Sequence, residues 1–277
     1  MSRTASRARW PEYRHLLEVA IAQEYDIVGV EQWLTAGPAP VSRPVLLIRH
    51  DVDQYPGSAQ RMASLENALG VSSTWYFRWR TAATPVVDAI RGAGHAVGLH
   101  YETLTRLLLE HGRPPAAAGD FVTEARGLLA QELAAFAGRF GPVQSACPHG
   151  DTRVPGVHNG VLLRGQELAP FGIVWDANDA VAQRGVDVWC TDRSRGEGRW
   201  QPGLDPLDLL VDRRTPLLLV VHPNNWASGP ALWWDRLLPG ATRTTSDRPA
   251  LGPDAAEPVL PSPPEPSPRS SPAGPSA

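Results

Sequence analysis

At 277 residues the chain is long enough for one large α/β domain or two small ones, and 42% hydrophobic against 20% charged residues reads as soluble and globular. A formal net charge of −3 excludes a general nucleic-acid binder, which needs a concentrated basic face. All 26 basic residues are arginine, so a lysine Schiff base, a Ser-Lys dyad and a phosphate-loop lysine are excluded too.

The N-terminus is basic (Arg3, Arg7, Arg9), but no apolar stretch of signal length follows and no run reaches membrane-spanning length, which predicts a cytoplasmic protein with no membrane span. Leu16, Leu17, Ala20 and Ile21 recur at helical spacing and predict a helix over 13–23, the centre of a helical lead-in over 1–42. From residue 43 strand-like and helix-like runs alternate. Strands are expected at 45–48, 73–78, 96–99, 143–147, 172–175, 186–191 and 217–221, with helices at roughly 58–69, 84–92, 118–139 and 205–210. This βα alternation predicts a mostly parallel sheet. Seven or so strands, and no glycine-rich dinucleotide turn after the first, favour a barrel over 43–238, with the lead-in packed on it. Eleven of the 28 prolines fall from Pro239 onward among Ser, Ala and Gly, so 239–277 is expected to be a disordered Pro/Ser-rich tail. Cys147 and Cys190 are too few for a disulfide framework or a cysteine-only metal site and read as small core residues.

Chemistry in parallel α/β folds gathers at the carboxyl ends of strands. The first end carries Arg49-His50-Asp51-Val52-Asp53 after the apolar run Val45-Leu46-Leu47-Ile48. Strand alternation puts Arg49, Asp51 and Asp53 on one face and turns His50 and Val52 away. Two carboxylates that close need a cation, a shared proton or a guanidinium. The third end offers His100 and Glu102 on one parity, the fourth Cys147, His149 and Asp151, and the sixth Cys190-Thr191-Asp192-Arg193. The last places His222 directly after five apolar residues, followed by Pro223-Asn224-Asn225-Trp226. Singly, each fits a core histidine, a turn residue or a packed thiol. Together, three histidines and a D-x-D describe a site for zinc or a similar divalent ion with an open position for water. With an Asp to take the water proton and a His to protonate a leaving amine, the parts are those of metal-assisted amide or ester hydrolysis.

These motifs, in this order over residues 43 to 226, resemble the polysaccharide deacetylase superfamily, of the NodB-homology or carbohydrate esterase family 4 type, whose fold is an irregular (β/α) barrel. The resemblance implies Asp51 as general base and Asp53 as metal ligand. It carries a ligand role onto His100 through Gly94-His95-Ala96-Val97-Gly98-Leu99-His100, and a general-acid role onto His222 through Leu219-Val220-Val221-His222-Pro223. Ala146-Cys147-Pro148-His149-Gly150 falls where the third motif lies. Two positions depart from the family. Leu104 stands where a second histidine is usual, which makes His149 the candidate third ligand and Glu102 the reserve. Ala146 stands where an arginine orients the base, and Arg49 is the candidate for that work.

Asp192 and Trp226 are expected to orient groups or meet substrate, while Trp75, Tyr76, Trp79 and Trp200 either stack on sugar rings or pack the core. The implied activity is removal of an acetyl or similar acyl group from an amino-sugar-containing substrate, a carbohydrate or sugar precursor, with a divalent metal, zinc first, as cofactor. The alternative is a non-catalytic carbohydrate-binding or regulatory barrel that has lost part of the metal site. A Cys147 nucleophile is disfavoured because Pro148 follows it where a helix N-terminus would be needed to lower its pKa.

Overall fold

A computed structural model describes residues 9–37, 42–192, 200–201 and 203–227. The expected tail over 239–277, like Arg193, lies outside the described residues. Eight consecutive buried residues form β2 (Val45–Val52), whose apolar first half, Val45–Ile48, suits a strand covered on both faces and whose second half carries the buried polar residues Arg49, His50 and Asp51. Around it lie β1 (Asp26–Gly29), β3 (Thr74–Phe77), β4 (Ala96–Tyr101), β5 (Ser145–Pro148), β6 (Trp175–Asp176), β7 (Val188–Thr191) and β8 (Leu217–Val221). Every pairing is parallel, in the order β6-β5-β4-β3-β2-β8-β7. β6 and β7 are the free edges of this path, so the seven strands curl into a half-barrel instead of closing. β1 shares an edge of β2 with β3: it pairs residues 45–48 and β3 pairs 49–52. The two meet end to end at Gly29, where a Cβ would stand 2.7 Å from Thr74 Oγ1.

The α-helices of the described residues are α1 (Trp10–Ala22), α2 (Val30–Ala36), α3 (Pro56–Ala68), α4 (Thr84–Gly92), α5 (Thr103–Glu110), α6 (Val122–Phe140), α7 (Ala177–Gln183) and α8 (Pro206–Val211). Strand alternation divides the apolar residues into two layers. Leu46, Ile48, Trp75, Phe77, Val97, Leu99, Leu217 and Leu219 face outward into the main core beneath α1, α3, α4 and α6. Val45, Leu47, Tyr76, Cys147, Leu218 and Val220 face inward onto Val30 of α2 and Ala177 and Val181 of α7. These two short helices plug the inside of the half-barrel, and the inner face above them is left for chemistry. Gly98 belongs to that inner face. A Cβ there would come within 2.4 Å of Ser145 O and 2.8 Å of the Tyr76 ring, so only glycine lets Tyr76 cross β4 and bond Ser145 Oγ at 2.6 Å.

Six of the eight strands lie where the alternation predicts them, while the strand expected over 172–175 meets β6 only at Trp175. The lead-in helix, α3, α4, α6 and α8 also fall on expected segments. Sequence periodicity does not predict β1, α2, α5 or α7.

Candidate metal centre

The inner face of β2 ends in Arg49 and Asp51, both buried, with Asp53 one step past the strand. The guanidinium forks onto its neighbour: Nε donates to Asp51 Oδ1 at 2.8 Å and Nη2 to Oδ2 at 2.6 Å. Nη1 donates to Asn178 Oδ1 at 2.6 Å. Asn178 sits in the first turn of α7, which Asp176 caps by accepting from the N–H groups of Asn178 and Asp179. Sequence reasoning misses Asn178, because only docking of α7 inside the sheet brings it to Arg49. Burial alone would raise Asp51, but the Arg49 charge, helped by His100 and His222, holds its carboxyl well below the usual range. Past Asp53 the chain passes through Tyr55 at φ 51, a left-handed conformation, and enters α3 at Pro56.

Asp53 has no such guanidinium clamp. Its Oδ1 is buried and accepts no hydrogen bond. His100 Nε2, from β4, lies 3.5 Å from that oxygen and His149 Nε2, just past β5, lies 3.4 Å from it. The two rings stand edge-on, 5.1 Å between centroids. His100 Nδ1–H donates to the backbone carbonyl of Cys147 at 3.1 Å, which leaves Nε2 as the unprotonated nitrogen. Glu102 Oε2, 3.9 Å from His149 Nδ1, favours the same tautomer there. Burial lowers His100, and burial, with the Arg78 charge adding to it, pushes His149 down to about 2, so both imidazoles are held in the neutral form. Asp53 Oδ1 and a nitrogen of each ring therefore lie within ligand range of one another, and no hydrogen bond occupies that oxygen. Such a cluster repels itself unless a cation joins it, and a carboxylate with two neutral imidazoles is a fit donor set for a divalent ion. Asp53 keeps 24% of its side chain exposed, although Oδ1 itself is buried.

Two further ligand groups overlap this one and suit a cation less. Asp51, His100 and Cys147 cluster within ligand range, yet both Asp51 oxygens already accept from Arg49 and burial pushes the Cys147 thiol well up. Glu102, His149 and Asp151 also cluster, but Glu102 pairs with Arg78 and Asp151 with Arg153. The same burial disfavours the thiolate that Cys147 would need as a nucleophile.

Across the site, His222 follows β8 and is held by Asp192. His222 Nδ1–H donates to Asp192 Oδ1 at 2.6 Å and the His222 backbone N–H to Oδ2 at 3.0 Å. Trp226 Nε1–H donates to Asp192 Oδ2 at 2.8 Å. Burial would lower His222, but the bond and charge of Asp192, with Asp51 and Asp53 behind, raise it to about 9. Its Nε2 is 4.0 Å from Asp53 Oδ2. The expectation that Trp226 meets substrate needs correction: the ring is 1% exposed, wedged between Tyr13 and Trp200, and its reach is to Asp192. Trp75 and Tyr76 are fully buried and Trp79 packs on Phe136, so these three are core. Leu104 is buried in the outer core, and Ala146 faces the same layer.

No family model matches the chain, and no curated protein matches it. Among solved structures it is similar to a mutant of a carbohydrate esterase family 4 pseudoenzyme with restored enzymatic activity, at 16% identity and a TM-score of 0.37 over 68% of this chain. The chain spans 61% of that structure's length. It is similar to a family 4 carbohydrate esterase from Streptomyces lividans in complex with acetate, at 17% identity and a TM-score of 0.35 over 72% of this chain and 90% of that one. A family 4 carbohydrate esterase from Bacillus anthracis aligns at 11% identity and a TM-score of 0.30 over 86% of each chain. The chemistry open to the site rests on its own side chains.

Proposed function

We propose that the chain is a divalent-metal-dependent hydrolase that removes an acetyl or similar acyl group from the nitrogen of an amino sugar. The observation that carries this reading is Asp53 Oδ1, buried, without a hydrogen bond, and faced by two neutral imidazole nitrogens at 3.4 and 3.5 Å. Asp53, His100 and His149 would hold the ion, and their donor types suit zinc. Bound there, it supplies Lewis acidity that polarises a substrate carbonyl and eases loss of a proton from water.

Asp51 takes that proton. Its Oδ2 stands 3.7 Å from His100 Nε2, and Arg49 keeps the carboxylate both ionised and fixed in direction. Water oxygen forms the new C–O bond, the C–N bond breaks, and His222 gives its proton to the departing nitrogen. Asp192 keeps His222 charged and aimed. The products are a carboxylic acid and a free amine. The order of the strand-end motifs, similar to that of polysaccharide deacetylases, supports an acylated amino sugar as substrate.

Acetate release from N-acetylglucosamine oligomers by the zinc-supplemented chain tests this. Zinc-dependent release that Asp51→Asn cuts by about 10²–10⁴-fold is expected. Sugar binding without acetate release, unchanged in Asp51→Asn, would favour the non-catalytic barrel instead.

A further inference from the structure

We infer that the substrate of this site carries a phosphate, docked on an arginine cluster formed by Arg80 and Arg153 with Arg78 behind them; the inference rests on the hydrolase reading above. Arg78 and Arg80 follow β3, and Arg153 lies in the loop after β5. Arg78 is buried and pairs with Glu102, while its Nε–H is buried with no acceptor. Arg153, half exposed, clamps Asp151 through Nε at 2.9 Å and Nη2 at 2.5 Å, and reaches Glu102 at 3.3 Å. Arg80 is exposed and donates only to the backbone carbonyl of Asp53, at 3.4 Å. Among the described residues it has no carboxylate partner.

Arg78 and Arg153 therefore take up the two carboxylates, Glu102 and Asp151, and Arg80 pairs with neither. The remaining carboxylate in reach, Asp53, is the one assigned to the metal. One positive charge is left over at the rim of the candidate site. The crowding is felt by the arginines themselves: burial first, then Arg80 and Arg153, draw Arg78 down to about 10 against the pull of Asp53. Burial and Arg153 likewise lower Arg80. A surplus exposed guanidinium on Arg80, beside the half-exposed one of Arg153, favours a ligand with several acceptor oxygens. Phosphate presents three and matches the guanidinium fork.

Calorimetric titration of the zinc-supplemented full chain with glucosamine 1-phosphate, muramic acid and glucosamine tests the subsite without turnover. Binding of the phosphate at least tenfold tighter than glucosamine is expected, with the preference abolished in Arg80→Gln and largely restored in Arg80→Lys. Equal affinity for phosphate and neutral sugar, or a preference that Arg80→Gln leaves intact, would overturn the subsite. Muramic acid binding as tightly as the phosphate would overturn the assignment to phosphate. Acetate release is measured separately, so an Arg80-dependent preference in a chain that hydrolyses nothing would sink the hydrolase reading alone.

Discussion

His222 owes its charge to Asp192, a fully buried carboxylate that accepts from the ring, from the backbone of the same residue and from Trp226. With a value raised to about 9 from its ordinary 6.5, the pair stabilises the fold fully below the lower value, and that support is lost as pH rises through the upper one. Asp192→Asn keeps an acceptor and removes the charge. The His222 titration, followed by NMR, is expected to move down by about one unit or more, and the alkaline limb of kcat/KM to move with it. An unmoved limb would take His222 out of the acid role. At this scale much of the site was legible in the sequence, because strand parity fixes which side chains share a face. Arg49 and Asp51, two residues apart, show this directly. Asn178 and the inward burial of Trp226 were not legible, since each depends on where a distant element docks.

A second buried charge cluster ties elements together on the outer side of β2. Glu66 of α3 accepts from His50 Nε2 at 2.6 Å, from Ser73 Oγ at 2.6 Å and from Tyr13 Oη of α1. His50 is the residue that alternation turns away from the site, and its ring stacks on Trp75 at 3.8 Å. Burial would raise Glu66, but His50 and the three hydrogen bonds hold it below its ordinary 4.5. Its contribution to stability is therefore present above that value and lost as pH falls below it. Glu66→Leu removes the buried acceptor of His50, Ser73 and Tyr13 and is expected to cost about 3–5 kcal/mol in urea unfolding at neutral pH. It should also flatten the acid side of the stability profile, and a variant as stable as the wild type would refute the cluster's structural role. Sequence periodicity could not reveal this tie, because it spans α1, β2 and α3. For a related reason α2 and α7 were unforeseen. Seven residues are too few to establish a helical period, and the inner-face contacts of Val30, Ala177 and Val181 hold them instead.

For the whole molecule, the alternation of apolar runs with helical ones was enough to predict a mostly parallel sheet, while the order of its strands came only with the structure. The degree of curling was less legible, because it depends on a two-residue β6 that no sequence pattern marks. The half-barrel brings Asp53 from β2, His100 from β4 and His149 from β5 to one point, although 96 residues of chain separate the first from the last. That convergence is the centre of the account. Elemental analysis of the chain after zinc reconstitution and desalting tests it most directly, with Asp53→Ala and His149→Ala alongside. Close to one zinc per wild-type chain is expected, lost in both variants while their folds persist by circular dichroism. A metal-free wild type, or zinc retained in both variants, would contradict it.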